Sequence, residues 1–137
     1  MLAIVDLHPE AGLIGPLGSS LRAQVYGWSI MAMTELEPAA VNARFVSDVS
    51  DEYRAGQRRR FGLAASSLEA PLGEHPFLLG EALTAADIVV GGVLAVGNFA
   101  GVLDAAPDRV GAYFERLRAR PAYARAAERT ESVLAAR

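Results

Sequence analysis

Thr84 and Asp87 stand three residues apart in LTAADIVVGG (residues 83–92), at the head of a run that stays apolar or small as far as Leu103. A carboxylate beside a long apolar segment suits two tasks. Desolvation can raise its pKa and make it a proton donor, or it can close the N-terminus of a helix. The spacing favours the second. With Thr84 as N-cap, its hydroxyl accepts from the Asp87 N–H while the Asp87 carboxylate accepts from the Thr84 N–H, a capping box with Asp where Glu or Gln is commoner. Leu83, just before the cap, and Ile88, just after the aspartate, are placed to form the hydrophobic staple that fixes the chain's entry angle. The negative charge also complements the helix N-terminus.

Other residue types with chemical potential are few. His8 and His75 are the only histidines, and neither has a second ligand at helical or hairpin spacing, so no metal site is expected. Arg58, Arg59 and Arg60 form a basic triplet, but consecutive helical positions fan out over most of a turn, which suits a solvated face better than an anion pocket. The chain has no Gly-rich phosphate loop, no serine elbow and no His-Glu-x-x-His. No catalytic residue is assigned.

The elements that must position these groups read as helices throughout. Ser19 or Ser20 caps a helix in which Leu21, Val25, Trp28, Ala32 and Leu36 recur at spacings of three and four, ending near Pro38. From Val41 to Leu72 the positions Phe45, Val49 and Tyr53, then Phe61, Ala64, Ala65 and Leu68, repeat in the same way, with a break expected at Gly56 or Gly62. APLGEHPFLLGEAL, with two prolines and two glycines, is a connection. Thr84 then opens a third helix ending near Gly101. Pro107 takes the first position of a fourth, carrying Val110, Tyr113, Phe114 and Leu117. Pro121 opens the last, with Tyr123, Ala127 and Leu134 on a weaker stripe. There is no strand pattern and no internal repeat. The expected class is an all-α bundle of about five to six helices around the buried third one.

Bulk properties exclude several partners. The 137 residues, 52% hydrophobic and 21% charged, suffice for one core without disulfides or metal. There is no cysteine, which rules out thiol catalysis and fits a cytoplasmic setting. A formal charge of −3, although all 13 basic residues are arginine, argues against nucleic acid. The uncharged stretch from Ile88 to Leu103 is shorter than the ~20 residues that span a bilayer, and the N-terminus makes a poor secretory signal, so neither membrane insertion nor export is expected.

Three runs in order carry a resemblance. WSIMAMTELEP, FLLGEALTAADIVV and AYFERLRARPAYARA are similar to the C-terminal helical domain of the cytosolic glutathione S-transferases (GSTs), over about residues 20 to 130. There, a buried helix opens with a Thr-x-x-Asp box and staple, an Arg-Pro-Ala element starts the last helix, and an aromatic precedes Thr-Glu-Leu on the first. The resemblance implies a division at residue 18: residues 1–18 resemble the end of a thioredoxin-like domain and its linker, and 19–137 form the helical domain.

In the family, the thioredoxin-like domain supplies the glutathione site and the thiolate-stabilising residue, while the helical domain supplies the wall of the electrophile pocket and much of the dimer interface. The resemblance therefore implies a homodimer and a hydrophobic small molecule as partners. No cofactor is implied, and glutathione enters as co-substrate only where the other domain is supplied. It matches Ile30, Met33, Thr34 and Glu37 to the ligand-facing side of the first helix, with Tyr26 as an aromatic neighbour. Ile30 and Pro38 depart from the polar or basic pattern of bacterial members that touch glutathione across the dimer. The other reading of Ile30 and Met33 places them in the core or the dimer interface. The alternatives for the whole chain are a non-catalytic interaction module and a binder of small apolar ligands.

Overall fold

A computed structural model describes residues 2–135, with side chains through Arg129. Helices α1 (Leu2–Leu7), α2 (Ser20–Met31), α3 (Glu37–Phe45), α4 (Asp51–Ser66), α5 (Glu69–Leu72), α6 (Ala85–Ala100), α7 (Asp108–Arg118) and α8 (Pro121–Ala135) account for most of it. Short 3₁₀ turns lie at Pro9–Ala11 and Leu103–Ala105. Because α2 runs into α3 without leaving helical geometry, the bundle has five long helices and two short ones among the described residues, which contain no strand. The class is all-α, built around α6. No described helix is long and apolar enough to cross a membrane.

Ser19 caps α2, accepting from the Arg22 N–H at 3.2 Å. The first helix does not stop near Pro38, as its pattern suggested. It widens into a π-turn over Ala32–Leu36, closed by the Glu37 N–H on the Ala32 carbonyl, and continues as α3 with Pro38 in its first turn. Pro38 has no N–H for the ladder, and the π-turn before it is where the helix absorbs that loss. The chain leaves the helix instead at 46–50. Val46 is extended and Asp48 sits at φ 56°, a left-handed conformation that aspartate tolerates better than most residues. Val49, expected on the second helix, is in this loop.

Ser50 then caps α4 through the Tyr53 N–H. Arg54 reaches back to the Ala43 and Val46 carbonyls, at 2.9 and 3.0 Å, satisfying the open end of α3. Gly56 and Gly62 break nothing. Gly62 is where α4 passes the 3₁₀ turn, and a Cβ there would stand 2.5 Å from the Ala105 carbonyl oxygen. Pro107 precedes α7 as its cap residue, one position earlier than expected, because an extended ψ of 150° keeps it out of the helix. The Leu134 side chain lies outside the described residues.

The core forms where α6 crosses α2, α3 and α7. Along α6, Ala86, Val90, Val93 and Leu94 are buried against Val25, Leu36, Phe61, Val110 and Phe114 of the other helices. Gly97 allows α4 to approach: a Cβ there would stand 2.5 Å from the Phe61 ring. Small residues on α6 thus let the large ones on its neighbours close the centre.

Candidate functional site

The geometry around the buried Asp87 carboxylate limits what it can do. Thr84 is extended, as an N-cap must be, and its N–H donates to Asp87 Oδ2 at 2.7 Å. The box is asymmetric. The Thr84 hydroxyl donates to the same oxygen at 2.9 Å, while the reciprocal arm from the Asp87 N–H to that hydroxyl is the weaker and does not close as a full hydrogen bond. Oδ1 has partners far away in sequence: the Leu78 N–H at 2.8 Å and the Tyr113 hydroxyl at 2.8 Å.

Asp87 has no exposed surface, and four donors occupy the four lone-pair sites of its two oxygens. No site on it remains for a substrate proton. Burial first, then the Asp87 charge and hydrogen bond, push the Tyr113 hydroxyl far above its ordinary pKa, so it stays a donor. The loop that offers Leu78 is a tight turn in which Phe77 and Gly80 exchange backbone bonds at 3.1 and 3.2 Å. One side chain therefore ties together this loop, the start of α6 and the middle of α7.

A groove of about 370 Å³ lies between α1, α2 with its π-turn, and α6, lined by Leu2, Ser29, Ile30, Met33, Thr34 and Val89. It brings together three of the residues matched to the ligand-facing side: Ile30, Met33 and Thr34. Ile30 and Met33 are 58% and 50% exposed, so they are not core. Both lining hydroxyls turn back onto their own helix, Ser29 to the Val25 carbonyl at 2.7 Å and Thr34 to the Ile30 carbonyl at 2.9 Å. The groove thus presents apolar walls, and none of its six lining residues titrates.

Tyr26 and Glu37 do not line it. The Tyr26 hydroxyl donates to Asp6 Oδ2 at 2.9 Å, and Arg22 donates to the other oxygen while its Nε donates to the Gly15 carbonyl at 2.8 Å. The Tyr26 hydrogen bond, followed by that of Arg22, holds the Asp6 carboxyl below its ordinary pKa. Tyr26 is thereby part of a clamp between α1 and α2. Glu37 is half-buried at the start of α3.

The remaining candidates are at the surface. His8 pairs with Glu10 at 3.0 Å and His75 with Glu81 at 2.9 Å, and among the described residues no three potential ligands gather as a metal site. Arg58 pairs with Asp104 and Arg60 with Glu35, which splits the triplet between two neighbours. Sequence reasoning did not find Leu2, Val89, Leu78 or Tyr113, because each joins its site only through packing.

Neither a protein-family model nor a curated protein matches the chain. Solved structures do. BphK, a bacterial GST solved as a ternary complex, superposes with a TM-score of 0.82 at 26% identity, over 96% of this chain and 64% of that one. A sphingomonad glutathione S-transferase complexed with glutathione gives 0.78 at 28% identity, over 91% and 62%. A glutathione transferase from Methylococcus capsulatus gives 0.76 at 28% identity, over 96% and 64%. The chain spans less than two thirds of the length of each of these. The described fold is that of the all-helical, C-terminal-like part of these glutathione S-transferases.

Proposed function

We propose that the chain serves a glutathione transferase-like protein as the helical domain that walls the hydrophobic-substrate pocket and carries a dimer interface, without catalysing transfer by itself. The observation that carries this reading is the groove beside α2. Ile30 and Met33 are exposed apolar side chains over a cavity of about 370 Å³, within the range of about 300–1,000 Å³ usual for small-molecule sites. Its lining suits an apolar electrophile. It does not suit glutathione, whose carboxylates need cationic or free hydrogen-bonding groups that the six lining residues do not offer.

On this reading glutathione is a substrate held by a strand-rich domain, residues 1–18 are the end of that domain and its linker, and residues 19–137 are the helical unit. The clamp of Asp6 on Tyr26 and Arg22 supports it by fastening α1 to α2. Exposed apolar residues such as Ile4, Leu7, Leu63 and Phe99 support association into a dimer. A second reading, a non-catalytic interaction module, draws on Phe45 and Phe99, which stack at 6.0 Å while remaining largely exposed.

Titration of the labelled chain with an aryl halide tests the groove. Saturable amide shifts at Ile30, Met33, Thr34 and Val89, lost in Met33→Glu, are expected. In the presence of glutathione the same chain shows no conjugation above background. Shifts that do not saturate, or that survive Met33→Glu, would refute the pocket reading and favour the interaction module. Turnover proportional to protein would refute the non-catalytic assignment.

A further inference from the structure

A second groove, of about 320 Å³, lies between the N-terminal half of α6 and the α7–α8 junction, and shares no residue with the first. Leu83, Ile88 and Gly92 form one side; Leu117 and Tyr123 form the other. Asp87 contributes to its lining, but that carboxylate is fully buried and saturated by its four donors, so it offers a ligand no open acceptor.

Arg120 is the one basic residue on the groove's described lining. Its guanidinium carbon sits 5.6 Å from the centroid of the Phe77 ring, which holds the side chain in place. Among the described residues no carboxylate pairs with it. Arg109 and Arg116, which line a cavity beside Gly73 and Pro76, each touch a carbonyl or carboxylate oxygen. Tyr123, half-buried on the same wall, adds a hydroxyl with no described partner.

An apolar trough with one unneutralised cation and one hydroxyl at its rim selects for a particular ligand chemistry. The trough takes a hydrocarbon or aryl body. The planar guanidinium matches a carboxylate bidentately, and a single positive charge balances a monoanion. We infer that this groove is a binding site for a small amphiphilic carboxylate, with its apolar body over Ile88 and Gly92 and its carboxylate on Arg120. The volume, near the lower end of ligand cavities at about 300 Å³, limits the body to a short chain or a single ring.

Gly92 supplies a clean way to close the groove. A Cβ built there meets nothing within 4 Å, whereas one at the adjacent Gly91 would strike Leu117 at 2.7 Å. Gly92→Leu therefore fills the trough without disturbing the core.

The test uses the full chain, with octanoate and its uncharged counterpart octanol followed by amide shifts. Octanoate is expected to bind saturably and to move Ile88, Gly91, Gly92 and Ala122, while leaving Ile30 and Met33 in place. Arg120→Gln is expected to weaken octanoate roughly tenfold, the loss of a charge-assisted pair, and to leave octanol nearly unchanged. Arg120→Lys keeps the charge and recovers part of the loss. Gly92→Leu abolishes both ligands with an unaltered helical spectrum. Octanol binding as tightly as octanoate, an unchanged affinity in Arg120→Gln, shifts confined to the Ile30 groove, or no saturable binding would each overturn the inference. Because the two grooves report through different amides, failure here is separable from failure of the pocket beside α2.

Discussion

Asp87→Asn is the substitution that separates a structural carboxylate from a functional one. Every partner of Asp87 donates: the Leu78 N–H and Tyr113 hydroxyl to Oδ1, and the Thr84 N–H and hydroxyl to Oδ2. The two hydroxyls can rotate to accept, but the two backbone N–H groups cannot. Whichever oxygen the asparagine amide replaces, one N–H is left facing another donor inside the protein. An orphaned buried donor costs about 1–3 kcal/mol, and the surviving bonds lose their charge assistance. Relief of the buried charge offsets part of this. The net expectation is a destabilisation of about 2–3 kcal/mol.

Asp87→Ala orphans the Leu78 N–H, the Thr84 N–H and the Tyr113 hydroxyl together, and should cost about 4 kcal/mol, a large share of the roughly 5–15 kcal/mol that holds a domain folded. Thr84→Ala keeps the N–H arm and should cost only about 1 kcal/mol. Urea unfolding followed by far-ultraviolet circular dichroism gives the three values on one scale. The reasoning requires Asp87→Ala to destabilise most, Asp87→Asn less and Thr84→Ala least. An Asp87→Asn protein that unfolds at the wild-type midpoint would refute it and return Asp87 to the list of functional acids.

Three further outcomes follow from the geometry. The Tyr113 hydroxyl has its pKa raised in the folded state, so its contribution is complete below the ordinary value of 10.0 and is lost as pH rises beyond it. Stability should fall above about pH 10, and Tyr113→Phe should reduce that slope by up to about 1.4 kcal/mol per pH unit, the share of one proton; urea midpoints across that range would show equal slopes if the account fails. Gly97→Ala forces a methyl against the Phe61 ring and should destabilise by about 1–2 kcal/mol, whereas Gly92→Ala, in open space on the same helix, should stabilise by about 0.5–1 kcal/mol. Melting shifts of the same sign in both would contradict the packing described for α6. A dimer or larger species is expected by light scattering at micromolar concentration, against which a clean monomer would count.

The separation between what sequence and tertiary structure decide follows contact range. Helical class, the place of α6 and its Thr84–Asp87 start were legible because caps and apolar periods act within a few residues. The break at 46–50 was also written locally, in Ser50 followed by Asp51 and Glu52, but the spacing of Phe45, Val49 and Tyr53 ran across it and pointed to the glycines instead. Pro38 misled for a related reason. A proline forbids one hydrogen bond, and only the π-turn before it shows that the helix has another way through.

The sites are where local information ends. Leu78 and Tyr113 lie nine and 26 residues from the carboxylate they satisfy, and Tyr26 finds Asp6 across 20 residues. The resemblance matched Ile30, Met33, Thr34 and Glu37 to one ligand-facing side, yet the first three became a groove only where Leu2 of α1 and Val89 of α6 closed around them, and Glu37 stayed outside it. Which groups a buried acid meets, and which apolar residues stay uncovered, depend on how helices distant in sequence cross. Capping and periodicity belong to one helix at a time, and they specify the helices but not the crossings.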